Sequence, residues 1–219
     1  MSAVAAHAAQ FDDKLPSRPA GSQEEEIASS YLLAHMQTAG YLVRLDGVPV
    51  KDQVRSTNVL GAPPDGRPPT IVLAVAYDTP PGGGSDGALL GLWLELARAL
   101  NVKDPGHSVE FAALGADHAE LPGAPLGERR LAQLLSDQQL TPEIVQIVST
   151  DGPVSAAGPL AEEILKLVPR GVTAGNVPGV CSEAACDPLR AAGLAHTYVS
   201  GPPGVLAPIL LRYLAHAHS

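Results

Sequence analysis

The run Thr70-Ile71-Val72-Leu73-Ala74-Val75-Ala76 does most to limit what this chain can fold into. It is short, continuously apolar and rich in branched side chains. It stops at Tyr77-Asp78, and Thr79-Pro80-Pro81-Gly82-Gly83-Gly84 follows. A run of that length with turn residues behind it reads as a strand covered on both faces, over residues 70–77. Residues 107–114 and 144–150 have the same character, and 196–200 reads as a last strand. Helical patterns separate them at 86–100, 126–137, 159–168, 183–192 and 205–216. Upstream, Ser22 before Gln23-Glu24-Glu25-Glu26 is a helix cap with acids in the first turn, where the helix dipole favours them. Ile27, Tyr31, Leu32, His35 and Met36 continue that helix to Gly40, and strands at 41–48 and 54–60 follow. The alternation predicts an α/β fold, a three-layer α/β/α sandwich around a mixed, mostly parallel sheet.

At 219 residues the chain fits a single domain over 1–219, with residues 1–16 expected to be flexible or loosely packed. A net charge of −9 argues against a nucleic-acid partner and against a basic membrane surface. No apolar run approaches the roughly 20 residues of a membrane span. The first residues, Met1-Ser2-Ala3-Val4-Ala5-Ala6-His7, lack a cationic start and a long apolar stretch, and Cys181 and Cys186 are the only cysteines. Both features fit a cytoplasmic location.

In open α/β sheets the functional crevice lies at the carboxyl ends of the strands. Three predicted strand ends carry ionisable groups: Tyr77-Asp78, Asp117-His118 and Asp151. These are expected to converge.

Several stretches, in this order, resemble the co-catalytic di-zinc aminopeptidases, whose relatives include glutaminyl cyclases and the ectodomain of nicastrin. Arg18-Pro19-Ala20-Gly21-Ser22 is similar to that family's opening RPxGS. Asn58-Val59-Leu60-Gly61 matches its NVLG, and Ala76-Tyr77-Asp78-Thr79 stands where the family has HYDT. The segment "LELARAL" (94–100) matches the helix behind the metals, and 115–124 resembles GAEExGLxGS. Residues 182–195 resemble SDHxPFxxAGIPA. The resemblance covers nearly the whole chain and implies a zinc-exopeptidase-like fold.

The departures fall on the chemistry. The family's first histidine ligand is Ala76 here, and the aspartate that orients it is Asp78. A gapless register puts Ser85 at the bridging carboxylate, and a one-residue shift brings in Asp86. The catalytic Glu and the ligand after it correspond to Asp117 and His118, while a further ligand is kept as Asp151. The loop that carries the last histidine ligand is missing between Ser200-Gly201-Pro202-Pro203 and the final helix. The resemblance therefore implies Asp78 and Asp117 as relict catalytic groups, and Asp86, His118 and Asp151 as relict ligands. Zinc needs about three protein ligands even in an open site, and two ions need more. The expectation is a binding or scaffold domain without catalytic metal or cofactor. Its acidic pocket would suit a peptide or an amine-bearing small molecule, and its oligomeric state is left open. The alternative enzyme reading is an aminopeptidase with one zinc on Asp86, His118 and Asp151.

Other readings stay open at this point. Asp78 also suits capping of the loop amides at 80–84, and Asp151-Gly152 suits an Asx-turn. The glycine-rich loop resembles an anion cradle but lacks a following lysine. Cys181 and Cys186 are spaced C-x₄-C with no second pair, and His216 and His218 sit at a helix end. Gly83-Gly84-Ser85-Asp86-Gly87 matches G-x-S-x-G, and Ser85, Asp151 and His196 follow the order of an α/β-hydrolase triad.

Overall fold

The computed structural model describes residues 3–63, 65–84, 86–104, 106–118, 121, 123–150, 152–169 and 187–216, except the side chains of Ser149 and His216. Seven strands form one sheet: β1 (Leu42–Pro49), β2 (Arg55–Ala62), β3 (Ile71–Ala76), β4 (Val109–Leu114), β5 (Glu143–Ser149), β6 (Ser155–Ala157) and β7 (His196–Gly201). Their order is β1-β2-β4-β3-β5-β7-β6. The inner strands β4, β3, β5 and β7 are parallel, as buried apolar runs predict. The outer pairings, β1–β2, β2–β4 and β7–β6, are antiparallel. The sheet is thus mixed rather than mostly parallel. The hairpin at 42–62 is short enough to return antiparallel, and β6 turns back against β7 within a few residues.

Helices cover both faces. On one lie α1 (Ala3–Ala9), α2 (Gln23–Thr38), α3 (Gly87–Lys103), α5 (Ala161–Lys166) and α7 (Pro203–His216). They share the larger core, where Trp93 packs edge-on to Phe111 and its indole N–H donates to the Leu73 carbonyl at 3.0 Å. On the other face α4 (Leu126–Asp137) and α6 (Pro188–Ala191) close a smaller core around Val72, Ala74, Leu131 and Ile144. Ser22 caps α2 as expected, accepting from the Glu25 amide at 3.1 Å.

The N-terminal segment departs from expectation. Residues 1–16 looked loosely packed, yet α1 runs into a π-helical turn, Gln10–Lys14, that is built into the core. Phe11 is fully buried and Leu15 nearly so. Gly87 and Gly91 make room on α3, because a Cβ at either would stand 2.6 Å from a carbonyl oxygen of α1. Among the described residues, no helix is long and apolar enough to cross a membrane.

Candidate functional site

The carboxyl ends of β3 and β4 bring Asp78, Asp86, Asp117 and His118 into one neighbourhood, but each carboxylate is engaged within the chain. Ala76, the last residue of β3, offers a methyl group to a cavity of about 270 Å³ shared with Asp78, Asp86, Leu89 and Gln146. A second cavity of about 320 Å³ is lined by Pro19, Asp78, Pro80, Pro81, His118 and Leu121. Asp78 borders both, so Asp86 and His118 open on different sides of it. A larger cavity, about 710 Å³, lies beside edge strand β1 and contains none of the strand-end acids.

Asp78 is 5% exposed and accepts from the amides of Asp117 (3.0 Å) and His118 (3.1 Å). Ala116 makes this possible, since its φ of +53° turns successive N–H groups inward as an anion-holding backbone nest. The loop amides at 82–84 are not its partners. They donate to Ser17 Oγ, Pro80 O and Pro16 O, which also removes the anion-cradle reading. Burial pushes the Asp78 carboxyl up, against the pull of the two amides.

Asp86 meets Arg18 Nη2 at 2.5 Å. Arg18 is wholly buried and is held from several sides. Its Nε donates to Tyr77 O (2.8 Å), its Nη1 to Phe11 O (3.3 Å) and to Leu15 O, and its guanidinium lies 5.4 Å over the Phe11 ring. Asp86 opens α3 as its N-cap residue, its carbonyl accepting from the Leu89 and Leu90 amides, but its side chain caps nothing, and the Gly87 amide donates to Asp12 Oδ1 at 2.9 Å. Burial raises the Asp86 carboxyl even with Arg18 opposing.

Asp117 and His118 part company. The Asp117 carboxylate turns under α4 and accepts from the Glu128 amide at 3.0 Å, so it caps that helix in place of the N-cap residue Pro125. Burial, then the neighbouring Glu128 carboxylate, holds its carboxyl well above the usual range. Asp151, Ser85, Cys181, Cys186 and His218 lie outside the described residues, as do residues 183–186 of the predicted helix at 183–192. The rest of that helix is the short α6.

Among the described residues, ligand-capable side chains gather in a group of three at Glu128, Asp187 and His196, within 4.8 Å of one another. None of the predicted ligands belongs to it, and three donors cannot complete a two-metal centre. Sequence spacing gave no signal for it, because Glu128 lies 59 residues before Asp187. His196 opens β7 and pairs with Ile144. That leaves it five residues, roughly 16 Å, from the strand end where a triad with Ser85 and Asp151 would need it. Its partner is Asp187, at 2.9 Å.

Solved structures match this fold over nearly their whole lengths. A glutaminyl cyclase from Porphyromonas gingivalis superposes with a TM-score of 0.78 at 13% identity, covering 98% of this chain and 97% of that one. The fold is that of the zinc exopeptidases. A leucine aminopeptidase precursor from Bacteroides thetaiotaomicron gives 0.75 at 15% identity, covering 98% and 96%. A zinc-dependent exopeptidase from Parabacteroides distasonis gives 0.71 at 14%, covering 98% and 97%. The sequence itself matches no protein-family model and no curated protein.

Zinc, which this fold implies, does not fit the residues described at the strand ends. Asp86 already has a buried cation, Asp78 already holds two amides, Asp117 caps a helix and Ala76 has no donor atom. Metal ligands must be available, and each of these carboxylates is already taken by a donor of the chain.

Proposed function

We propose that this chain is a non-catalytic, zinc-exopeptidase-like domain that binds or scaffolds rather than hydrolyses. The Arg18–Asp86 pair carries the reading. A fixed guanidinium supplies the positive charge that the relict bridging carboxylate needs, so Asp86 is stable without an ion. Without a metal, nothing here polarises a scissile carbonyl or lowers the pKa of a water. A carboxylate alone, shortened from Glu to Asp and committed to the α4 amide, is a poor general base.

The two strand-end cavities suit a small occupant, and the ligand class we propose is a peptide terminus or an amine-bearing small molecule. Asp78, shared by both cavities, and Asp86 supply what acidity remains, tempered by the amides and Arg18 that hold them. The support is the concave crevice and its acids. Aminoacyl anilides should be turned over no faster than in buffer, with or without added zinc. Turnover that chelator abolishes and zinc restores would instead establish the single-metal aminopeptidase.

A further inference from the structure

A second polar site lies on the sheet face closed by α4 and α6. His196, Tyr198 and Ser200 share that face of β7, and Gln146 of β5 is paired with Tyr198. Glu128 projects from the first turn of α4, and Asp187 caps α6. His196 and Asp187 have no exposure, Glu128 3% and Gln146 6%, in a layer otherwise built from Leu, Ile, Val and Ala.

Among the described residues the hydrogen bonds leave several buried polar atoms unpaired, the Ser200 hydroxyl among them. Asp187 is satisfied: both its oxygens lie 2.9 Å from His196 Nδ1, Oδ1 accepts the Arg190 amide at 3.0 Å, and Oδ2 meets Arg190 Nε at 3.2 Å. A carboxylate there fixes the tautomer with the proton on Nδ1, which makes Nε2 a lone pair. That Nε2 is buried and has no partner among the described residues. Glu128 takes the Tyr198 hydroxyl on Oε1 (3.4 Å) and is hydrogen-bonded by Gln146, while its Oε2 has no partner. Gln146, with its amide N–H given to Glu128, keeps an unpartnered Oε1. Buried polar atoms are nearly always paired, and these three are all acceptors. Three lone pairs on one buried face call for a cation.

We propose that Glu128 Oε2, His196 Nε2 and Gln146 Oε1 hold one divalent transition-metal ion of the zinc class, with Asp187 orienting the imidazole. The imidazole favours that class over magnesium or calcium, and a histidine backed by a carboxylate is a common second layer around zinc. Glu128, Asp187 and His196 already lie within 4.8 Å of one another. The ion would tie α4 to β7 and would be structural, because its three ligands are almost wholly buried beneath α4 and α6. The inference does not depend on the proposed function.

The test is titration of the untagged, chelator-treated chain with zinc by calorimetry and with cobalt by visible absorption. The expected result is one equivalent bound, an intense tetrahedral cobalt band, and affinity lowered at least tenfold by Glu128→Gln or His196→Gln. Asp86→Asn should bind as the wild type does. Absence of stoichiometric binding by the wild type overturns the proposal, whatever the variants do. Binding that survives both substitutions overturns it too. Binding lost only with Asp86→Asn overturns it and restores a metal to the crevice, so the two readings fail separately.

Discussion

Two groups of largely buried polar side chains sit on the same sheet and are treated in opposite ways. At the carboxyl ends of β3 and β4, Asp78, Asp86 and Asp117 each face a donor belonging to the chain: two amides, a guanidinium and a helix terminus. Behind β5 and β7, Glu128, Gln146 and His196 keep acceptors that none of the described residues satisfies. The first group has the family's positions without free ligands, and the second has free ligands outside the family's positions. A carboxylate lining a crevice is therefore no evidence for a metal until its existing partners have been counted.

The comparison breaks most readily at Arg18. Arg18→Met leaves the partly buried Asp86 beside no cation and strips three carbonyls of their donor, so it should cost about 3–5 kcal/mol. Urea denaturation measures this, and adding Asp86→Leu should recover much of the loss by removing the stranded charge. A single-variant loss below about 1 kcal/mol, typical of an exposed pair, would mean that Arg18 does not stand in for the missing ion.

The second effect is a pH dependence. Burial raises the Glu25 carboxyl to about 7, although Ser56 Oγ and the Gly21 amide hydrogen-bond to it. A carboxyl whose folded pKa lies above its unfolded value binds more protons when folded, so stability falls as pH rises from about 4.5 through about 7. Denaturant midpoints should therefore be higher at pH 5 than at pH 8, by about 2 kcal/mol from this group. Asp78 and Asp86 shift in the same direction. Glu25→Gln should flatten the profile, and a midpoint that instead rises toward pH 8 would contradict the burial of these acids.

Much of this was legible in the sequence and some was not, for physical reasons. The inner strands announced themselves because burial on both faces demands continuous apolar runs, and the strand-end acids followed from that. The partners of those acids did not, because Arg18 reaches Asp86 across 68 positions and Asp78 reaches Asp117 across 39. The N-terminal segment misled because its alanines show no strong amphipathic pattern. What holds it is Phe11 in the core, carbonyls bonded by Arg18, and two glycines on a distant helix. The polar group behind β7 was missed for the same reason: His196 was weighed as a triad member, while its partners came from α4 and α6.

The smallest effect sharpens the assignment of Asp117. As the cap of α4, Asp117→Ala should cost about 1 kcal/mol, and Asp117→Asn, which keeps an acceptor oxygen, should cost less. Thermal denaturation separates the two variants. Equal losses would show that the charge matters and the cap does not.

The central claim is that the strand-end crevice holds no catalytic ions, and crystals soaked in zinc test it through anomalous scattering at the zinc edge. The map should show no peak between Asp78, Asp86 and His118. A pair of peaks there, about 3.5–4 Å apart as in two-metal enzymes, would contradict it.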